Sequence, residues 1–367
     1  MLFRSALYGL KQAPRASFDK LKHALFEWGF SNSTSDISLF HCRKDGKLLM
    51  LLVYVDDILV TGEDPTQINA VISALNQRFA LKILGPVNYF LGLEATRDDT
   101  GIKLTQRKYI TDLLLKTNMS SCKPSPTPMV QHLRLSKDDG PLFDSPTLYR
   151  STIGALQYLT LTRPDIAYPV NRLSQFLQQP TVSHWSACKR LLRYLQGTKS
   201  VGLHFKPASA LTLQAFIDAD WAGNVDDRRS TSGHCVLFGG NLINWSSHKQ
   251  QVVARSSTEA EYRALASAAT DILWLQSLFA EIGIIVAQMP ILWCDNLGAG
   301  SLASNPVCHA RTKHIEIDIH FVREKVINKQ LEVRYCPTAE QVADMFTKAL
   351  SISQFLYLCS KLNLCTT

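Results

Sequence analysis

Residues 211–218 read Leu211-Thr212-Leu213-Gln214-Ala215-Phe216-Ile217-Asp218, the stretch on which the fold turns. Leu211, Leu213, Ala215 and Ile217 alternate, the period-two pattern of a strand buried on one face. Asp218 falls on the other face, at the C-terminal end. Working outward, residues 234–238 and 242–246 predict a hairpin around Gly239-Gly240-Asn241. Residues 258–281 predict a long helix stopped by Gly283, with Tyr262, Leu265, Ala266, Ala269 and Leu273 facing inward. Residues 291–294 predict a short buried strand ending at Asp295. A helix over 313–328, a strand over 331–336 and a last helix over 338–350 complete the block. The order β-β-β-α-β-α-β-α implies a mixed five-stranded sheet flanked by helices, an α+β or α/β arrangement.

Upstream, residues 1–120 form a first block that opens with Leu7-Tyr8-Gly9-Leu10-Lys11-Gln12-Ala13-Pro14-Arg15. Phe18, Leu21, Leu25 and Trp28 then recur at helical spacing. Runs 48–54 and 58–61, joined through Val55-Asp56-Asp57, predict an apolar hairpin with two acids at its turn. A helix follows over 66–78, with Ile68, Val71, Ile72 and Leu75 as its stripe. In Cys122-Lys123-Pro124-Ser125-Pro126-Thr127-Pro128 the alternating prolines force extended backbone, so 121–145 is expected to be a linker. A helical region over 146–205 comes next, with apolar stripes through Ile153, Leu156 and Leu159 and through Val170, Leu173 and Leu177. Its helix over 185–195 carries Lys189, Arg190 and Arg193, either a solvated face or a phosphate-contacting one. The sheet block then occupies 206–350, with a tail over 351–367.

The 367 residues carry 39 Lys and Arg against 31 Asp and Glu, a formal net charge of +8, which permits a polyanionic partner such as nucleic acid. An apolar fraction of 46% beside a charged fraction of 19% excludes wholesale disorder. No apolar run approaches the ~18–20 residues of a membrane span. The first residues lack the apolar core of a signal peptide. The expectation is an intracellular protein, cytoplasmic or nuclear, not secreted and without a membrane partner. The 9 Cys form no CxxC pair and are read as reduced thiols.

Tyr54-Val55-Asp56-Asp57 sets two carboxylates side by side, which repel unless a cation sits between them. A Mg²⁺ site that also holds substrate phosphates would use this arrangement. An ordinary polar turn is the alternative.

Taken together, 5–15, 54–57 and Phe90-Leu91-Gly92-Leu93-Glu94 resemble the reverse transcriptase of Ty1/copia-type retrotransposon Pol polyproteins. Gly154-Ala155-Leu156-Gln157-Tyr158-Leu159, Thr162-Arg163-Pro164-Asp165-Ile166-Ala167 and Leu192-Arg193-Tyr194-Leu195-Gln196-Gly197-Thr198 match the same family. So do Asp218-Ala219-Asp220-Trp221-Ala222-Gly223, Asp227-Arg228-Arg229-Ser230-Thr231-Ser232-Gly233, Ser257-Thr258-Glu259-Ala260-Glu261-Tyr262 and Arg311-Thr312-Lys313-His314-Ile315. The resemblance covers nearly the whole chain in the family's order.

It implies a partial reverse-transcriptase palm and thumb followed by a ribonuclease H-like domain. Asp56 and Asp57 inherit the palm's metal-binding role. Gln12, Pro14 and Arg15 fall in the segment that lines nucleotide and template, and Gly92 falls in the primer grip. Asp218, Glu261, Asp295 and Asp344 fit the ribonuclease H carboxylate set. Gathering four acids on one rim is costly without cations, so two Mg²⁺ ions, replaceable by Mn²⁺, are expected there. Arg228, Arg229, Arg311 and Lys313 are expected to contact phosphates. The implied substrate is the RNA of an RNA–DNA hybrid, cut to leave 3′-hydroxyl and 5′-phosphate ends. A template–primer and upstream Pol segments are the other expected partners.

There are departures from the family. Ser17 stands where Trp is usual. A third palm Asp belongs upstream of the Leu-Tyr-Gly-Leu-Lys motif, so no polymerase activity is expected from these residues alone. Residues 334–338 lack the loop His that assists product release in many relatives, so the expected rate is modest. Several alternatives stay open. Asp220 competes with Asp218, and Glu259 with Glu261. Glu261 could only cap its helix in Thr258-x-x-Glu261. Asp295 could cap the next helix, and Asp344 could be a solvated charge. A zinc site from His309, His314 and His320 with Cys294 or Cys308 has no recognisable ligand spacing. A transposase or integrase of related fold is disfavoured by the position of Glu261 between the first two Asp residues. The competing function is a non-catalytic relic that at most binds nucleic acid. A half-palm would then leave Leu49, Leu51 and Val53 without cover.

Overall fold

The computed structural model describes residues 13–55, 57–79, 81–304 and 315–366. They form two compact units, one running up to Val87 and including Leu273–Ile285, the other made of Asn88–Ile272 and Val286–Thr367. The divisions expected at 120, 145 and 205 do not coincide with this one.

In the first unit α1 (Ala13–Glu27) precedes β1 (Ser31–Asn32), β2 (Leu39–Lys44), β3 (Lys47–Tyr54) and β4 (Asp57–Gly62), which pair in that order as an antiparallel sheet. Then comes α2 (Pro65–Phe79). The register of β3 with β4 runs from Leu49↔Gly62 to Tyr54↔Asp57, so the expected hairpin forms with Asp57 as the first residue of β4. Alternation along β3 sends Leu49, Leu51 and Val53 into a core with Leu21 and Leu25 of α1, Phe40 of β2 and Leu75 of α2. The expectation that these three residues lack cover is therefore wrong. The helical stripes of α1 and α2 supply it.

The second unit begins with β5 (Tyr89–Phe90), β6 (Leu93–Asp98) and β7 (Gly101–Thr105), followed by α3 (Arg107–Lys116). After α4 (Pro146–Leu159), a 3₁₀ turn at Pro164–Ile166, α5 (Ala167–Ser174) and α6 (Val182–Gly197), the chain enters β8 (Val201–Phe205). Next come β9 (Leu213–Asp220), β10 (Thr231–Phe238), β11 (Asn241–Lys249), α7 (Ser257–Ile282), β12 (Ile291–Cys294) and α8 (Leu297–Ser304). Then α9 (Glu316–Ile327), β13 (Glu332–Tyr335), α10 (Ile352–Lys361) and β14 (Leu364–Thr366) follow.

Two five-stranded sheets result. One has the order β11-β10-β9-β12-β13: an antiparallel meander through β9, then β12 and β13 added in parallel. The other, β14-β8-β7-β6-β5, is antiparallel throughout. The mixed sheet is the one that the alternation of residues 211–218 predicts, except that the strand starts at Leu213 and Leu211 is exposed.

Residues 121–145 hold no helix or strand, yet they are not a free linker. Met129 and Leu135 are buried in the core of the second unit, and Ser125 and Thr127 are buried beside them. Arg190 and Arg193 secure this strap: Arg190 Nη2 donates to Thr127 Oγ1 at 2.9 Å, and Arg193 Nε donates to the Lys123 carbonyl at 2.8 Å. Both cations are thus tied to the strap. Lys189 is exposed.

One core joins Ile110 and Leu114 of α3, Tyr149 and Leu156 of α4 and Leu192 of α6 to Cys235 of β10, Phe346 and Phe355. The helical region and the mixed sheet therefore share an interior. The helix expected over 338–350 does not form. Two 3₁₀ turns, Thr338–Glu340 and Val342–Phe346, replace it. The physical reason is Gln341 between them, buried and extended, whose Nε2 donates to the Ile217 carbonyl at 2.9 Å while its Oε1 accepts from the Ala343 N–H at 3.2 Å. That tie to β9 interrupts the helix.

Candidate active site

β9, the start of α7, the end of β12 and the turn Val342–Phe346 each deliver one acid. Asp218 is 3% exposed and accepts a hydrogen bond from the Thr347 hydroxyl. Glu261, 5% exposed, accepts from the Ala219 N–H at 3.2 Å through Oε1, so it faces β9 rather than capping its own helix. Its Oε2 is buried, and its carboxyl is hydrogen-bonded to that of Asp218. Ligand atoms of Glu261, Cys294 and Asp295 lie within 4.8 Å of one another. Asp295 is half-buried, and its Oδ2 accepts from the Thr338 hydroxyl at 3.2 Å. Asp344 is 2% exposed, not a solvated charge.

The alternatives left open in the sequence separate here. Glu259 accepts from the Arg255 N–H at 2.8 Å and pairs with Arg263 at 3.0 Å, away from the acids. Asn296, not Asp295, caps α8, its Oδ1 accepting from the Ala299 N–H at 3.0 Å. Asp220 lies two residues past Asp218, and burial and the charge of Asp218 push its carboxyl upward.

The electrostatics are those of acids crowded out of water. Burial first, then Asp218 and Asp295, push Glu261 up to about 9. Burial and Asp218 push Asp344 up to about 7, against the pull of Lys348. Asp295 is raised for the same two reasons. Burial raises the Cys294 thiol, so it stays protonated beside them. Lys348 is the one cation that no motif suggested. Its Nζ sits 2.9 Å from Asp344 Oδ1 and 3.4 Å from Asp218 Oδ2. The signal was present as an acid and a Lys four residues apart at 344 and 348.

A divalent metal fits these residues. Glu261 and Asp295 bring hard oxygen donors within 4.8 Å of each other, and three of the acids are held above their ordinary range.

The other expected site residues are less gathered. Arg228 is exposed, in a left-handed conformation at φ 57°. Arg229 is taken up by Asp227 at 3.6 Å. Arg15 is exposed on α1, and Asp57 is exposed at the start of β4. Gly92, at φ 76°, turns β5 into β6, and a Cβ there would meet the Tyr158 hydroxyl oxygen at 2.5 Å. Only glycine suits both conditions. Asp56, Gln12, Pro14, Arg311 and Lys313 lie outside the described residues or side chains, as do Cys308, His309 and His314 of the zinc alternative. His320 is at the surface beside Glu316, 3.8 Å away.

The strand order gives this part of the chain a ribonuclease H-like fold, and a reverse-transcriptase segment precedes it in the sequence. The sequence profile of the reverse transcriptase (RNA-dependent DNA polymerase) family matches residues 2–131. A retrovirus-related Pol polyprotein from transposon RE1 of Arabidopsis thaliana is 50% identical over 98% of this chain and 24% of its own length. A putative transposon Ty5-1 protein of Saccharomyces cerevisiae is 35% identical over 70% of this chain and 84% of its own length. The N-terminal RNase H domain of a Mycobacterium tuberculosis protein covers 41% of this chain and 98% of itself at 12% identity, with a TM-score of 0.28. The chain belongs to the copia-type retrotransposon Pol family. It spans about a quarter of the length of the curated Pol polyproteins it matches.

Proposed function

We propose that the second unit hydrolyses the RNA strand of RNA–DNA hybrids, with Asp218, Glu261, Asp295 and Asp344 holding divalent cations. The observation that carries this reading is Glu261, buried and pushed upward by that burial, by Asp218 and by Asp295, with a ligand atom within 4.8 Å of one on Asp295. Mg²⁺, or Mn²⁺ in its place, would polarise the scissile phosphate and activate a water.

The chain's own groups do the rest. The Ala219 N–H and the Thr347 hydroxyl fix the Glu261 and Asp218 carboxylates in place. The half-buried Asp295 marks the side from which a phosphate approaches. Arg228, exposed and without a salt bridge among the described residues, is the better phosphate contact than Arg229. Selection of the hybrid would come from 2′-hydroxyl contacts on one strand and from shape on the other.

The test is cleavage of a labelled RNA–DNA hybrid in Mg²⁺ and then Mn²⁺, with duplex RNA and duplex DNA as controls. Hybrid-only cleavage, abolished by Glu261→Gln and by Asp295→Asn, is expected. A folded protein that cuts nothing would leave the non-catalytic reading in its place.

A further inference from the structure

The acids divide into two halves. Asp218 and Asp344 share a cation, since Lys348 Nζ stands 3.4 Å from Asp218 Oδ2 and 2.9 Å from Asp344 Oδ1. Glu261 and Asp295 make no salt bridge with Lys348, and their ligand atoms lie within 4.8 Å of each other. Lys348 is anchored to the same turn by its backbone, its N–H donating to the Asp344 carbonyl at 3.2 Å. Its side chain is 40% exposed, so the ammonium has solvent to withdraw into. Lys carries a compact point charge on a flexible stem, suited to standing where an ion would stand and to leaving again.

We propose that Lys348 is a tethered cation that holds the metal position between Asp218 and Asp344, so that metal enters the Glu261–Asp295 half first and the second position only when Lys348 swings out. Lys348 is thereby a positioning residue. The inference rests on the metal-dependent reading above and adds an order of binding to it.

The experiment uses the full chain and Mn²⁺ alone, with free Mn²⁺ followed by electron paramagnetic resonance. Wild type, Lys348→Met and Lys348→Arg are compared at low and at high KCl, and hybrid cleavage by wild type is run in parallel. In Lys348→Met the weaker class of Mn²⁺ sites is expected to tighten about tenfold, the size of effect that a unit charge at contact distance exerts. The stronger class keeps its affinity. Contact competition survives high salt, whereas long-range repulsion is screened. Without metal, Lys348→Met melts at a lower temperature than wild type, and Lys348→Arg restores it.

Unchanged or weaker Mn²⁺ binding in Lys348→Met overturns the proposal, as does a tightening that vanishes at high KCl. A wild type that binds Mn²⁺ with the expected Lys348 effect but cuts no hybrid overturns the ribonuclease reading and leaves the tethered cation standing. Failure of both wild type and Lys348→Met to bind Mn²⁺ overturns both.

Discussion

Glu261 sets the pH behaviour of the metal-free protein. Its carboxyl titrates near 4.5 in an unfolded chain and is pushed up to about 9 in the fold by burial and its acidic neighbours. The folded state therefore holds this proton where the unfolded state has lost it. Its contribution to stability is whole below pH ~4.5 and is lost as pH rises toward ~9. Asp344, pushed up to about 7, acts in the same direction. Metal-free protein is expected to melt at falling temperatures across this range, and Glu261→Gln to flatten the fall. At pH 8 that variant should be more stable than wild type by about 1 kcal/mol, as expected when a strained functional group is neutralised. Thermal melts with chelator across pH check both points. At the same scale, Asp218→Asn is expected to abolish hybrid cleavage, whereas Asp220→Asn keeps a measurable rate. Asp218 is the acid that reaches Thr347 and Lys348. The acids could be read from their positions at the ends of apolar runs. Lys348 could be read only as the partner of Asp344 four residues earlier, and its reach to Asp218 depends on the turn that replaces the expected helix.

At the scale of elements, two motifs recognisable in the sequence turn out to be one structural feature. Arg163 and Asp165, both fully buried, face each other in bidentate fashion at 2.9 and 2.7 Å. The Tyr194 hydroxyl donates to Asp165 at 2.6 Å, and Arg163 also donates to the Thr198 carbonyl at 2.8 Å. The stretch Thr162–Ala167 and the C-terminal end of α6 are thus clamped together. Removing one member leaves a buried charge without its partner, so Asp165→Asn is expected to cost about 3–5 kcal/mol in urea unfolding. Gly92→Ala, strained by its positive φ and by the Tyr158 hydroxyl, is expected to cost about 1–2 kcal/mol in the same assay. Strands and long helices were legible because their apolar residues repeat at period 2 or 3.6. α8 was legible only as the helix that Asp295 could cap, since Gly298 and Gly300 hide its apolar signal. The partnership of residues 162–167 with 192–198 was not legible either, because spacing along the chain says nothing about burial of polar groups.

At the scale of the molecule, composition placed prolines in 121–145 and so suggested a linker there. The chain instead runs as a strap anchored by the buried Ser125, Thr127, Pro128, Met129 and Leu135. Because one core runs from α3 through Phe346 to α10, a protein beginning at residue 206 would expose the apolar side of that interior. It is expected to bind a hydrophobic dye and to lack a cooperative melt, whereas the full chain melts cooperatively. Circular dichroism and dye fluorescence of the two proteins distinguish these outcomes. The last strand carries a different consequence. β14 pairs with β8, which pairs with β7 of the hairpin that begins the second unit. The sheet thus joins residues 101–105 to residues 364–366, with the whole of the mixed sheet between them in the chain. On the ribosome this unit cannot close as it emerges. It must wait, with its interior partly open, until residues 364–366 have been made, and chaperones would meet it in that interval.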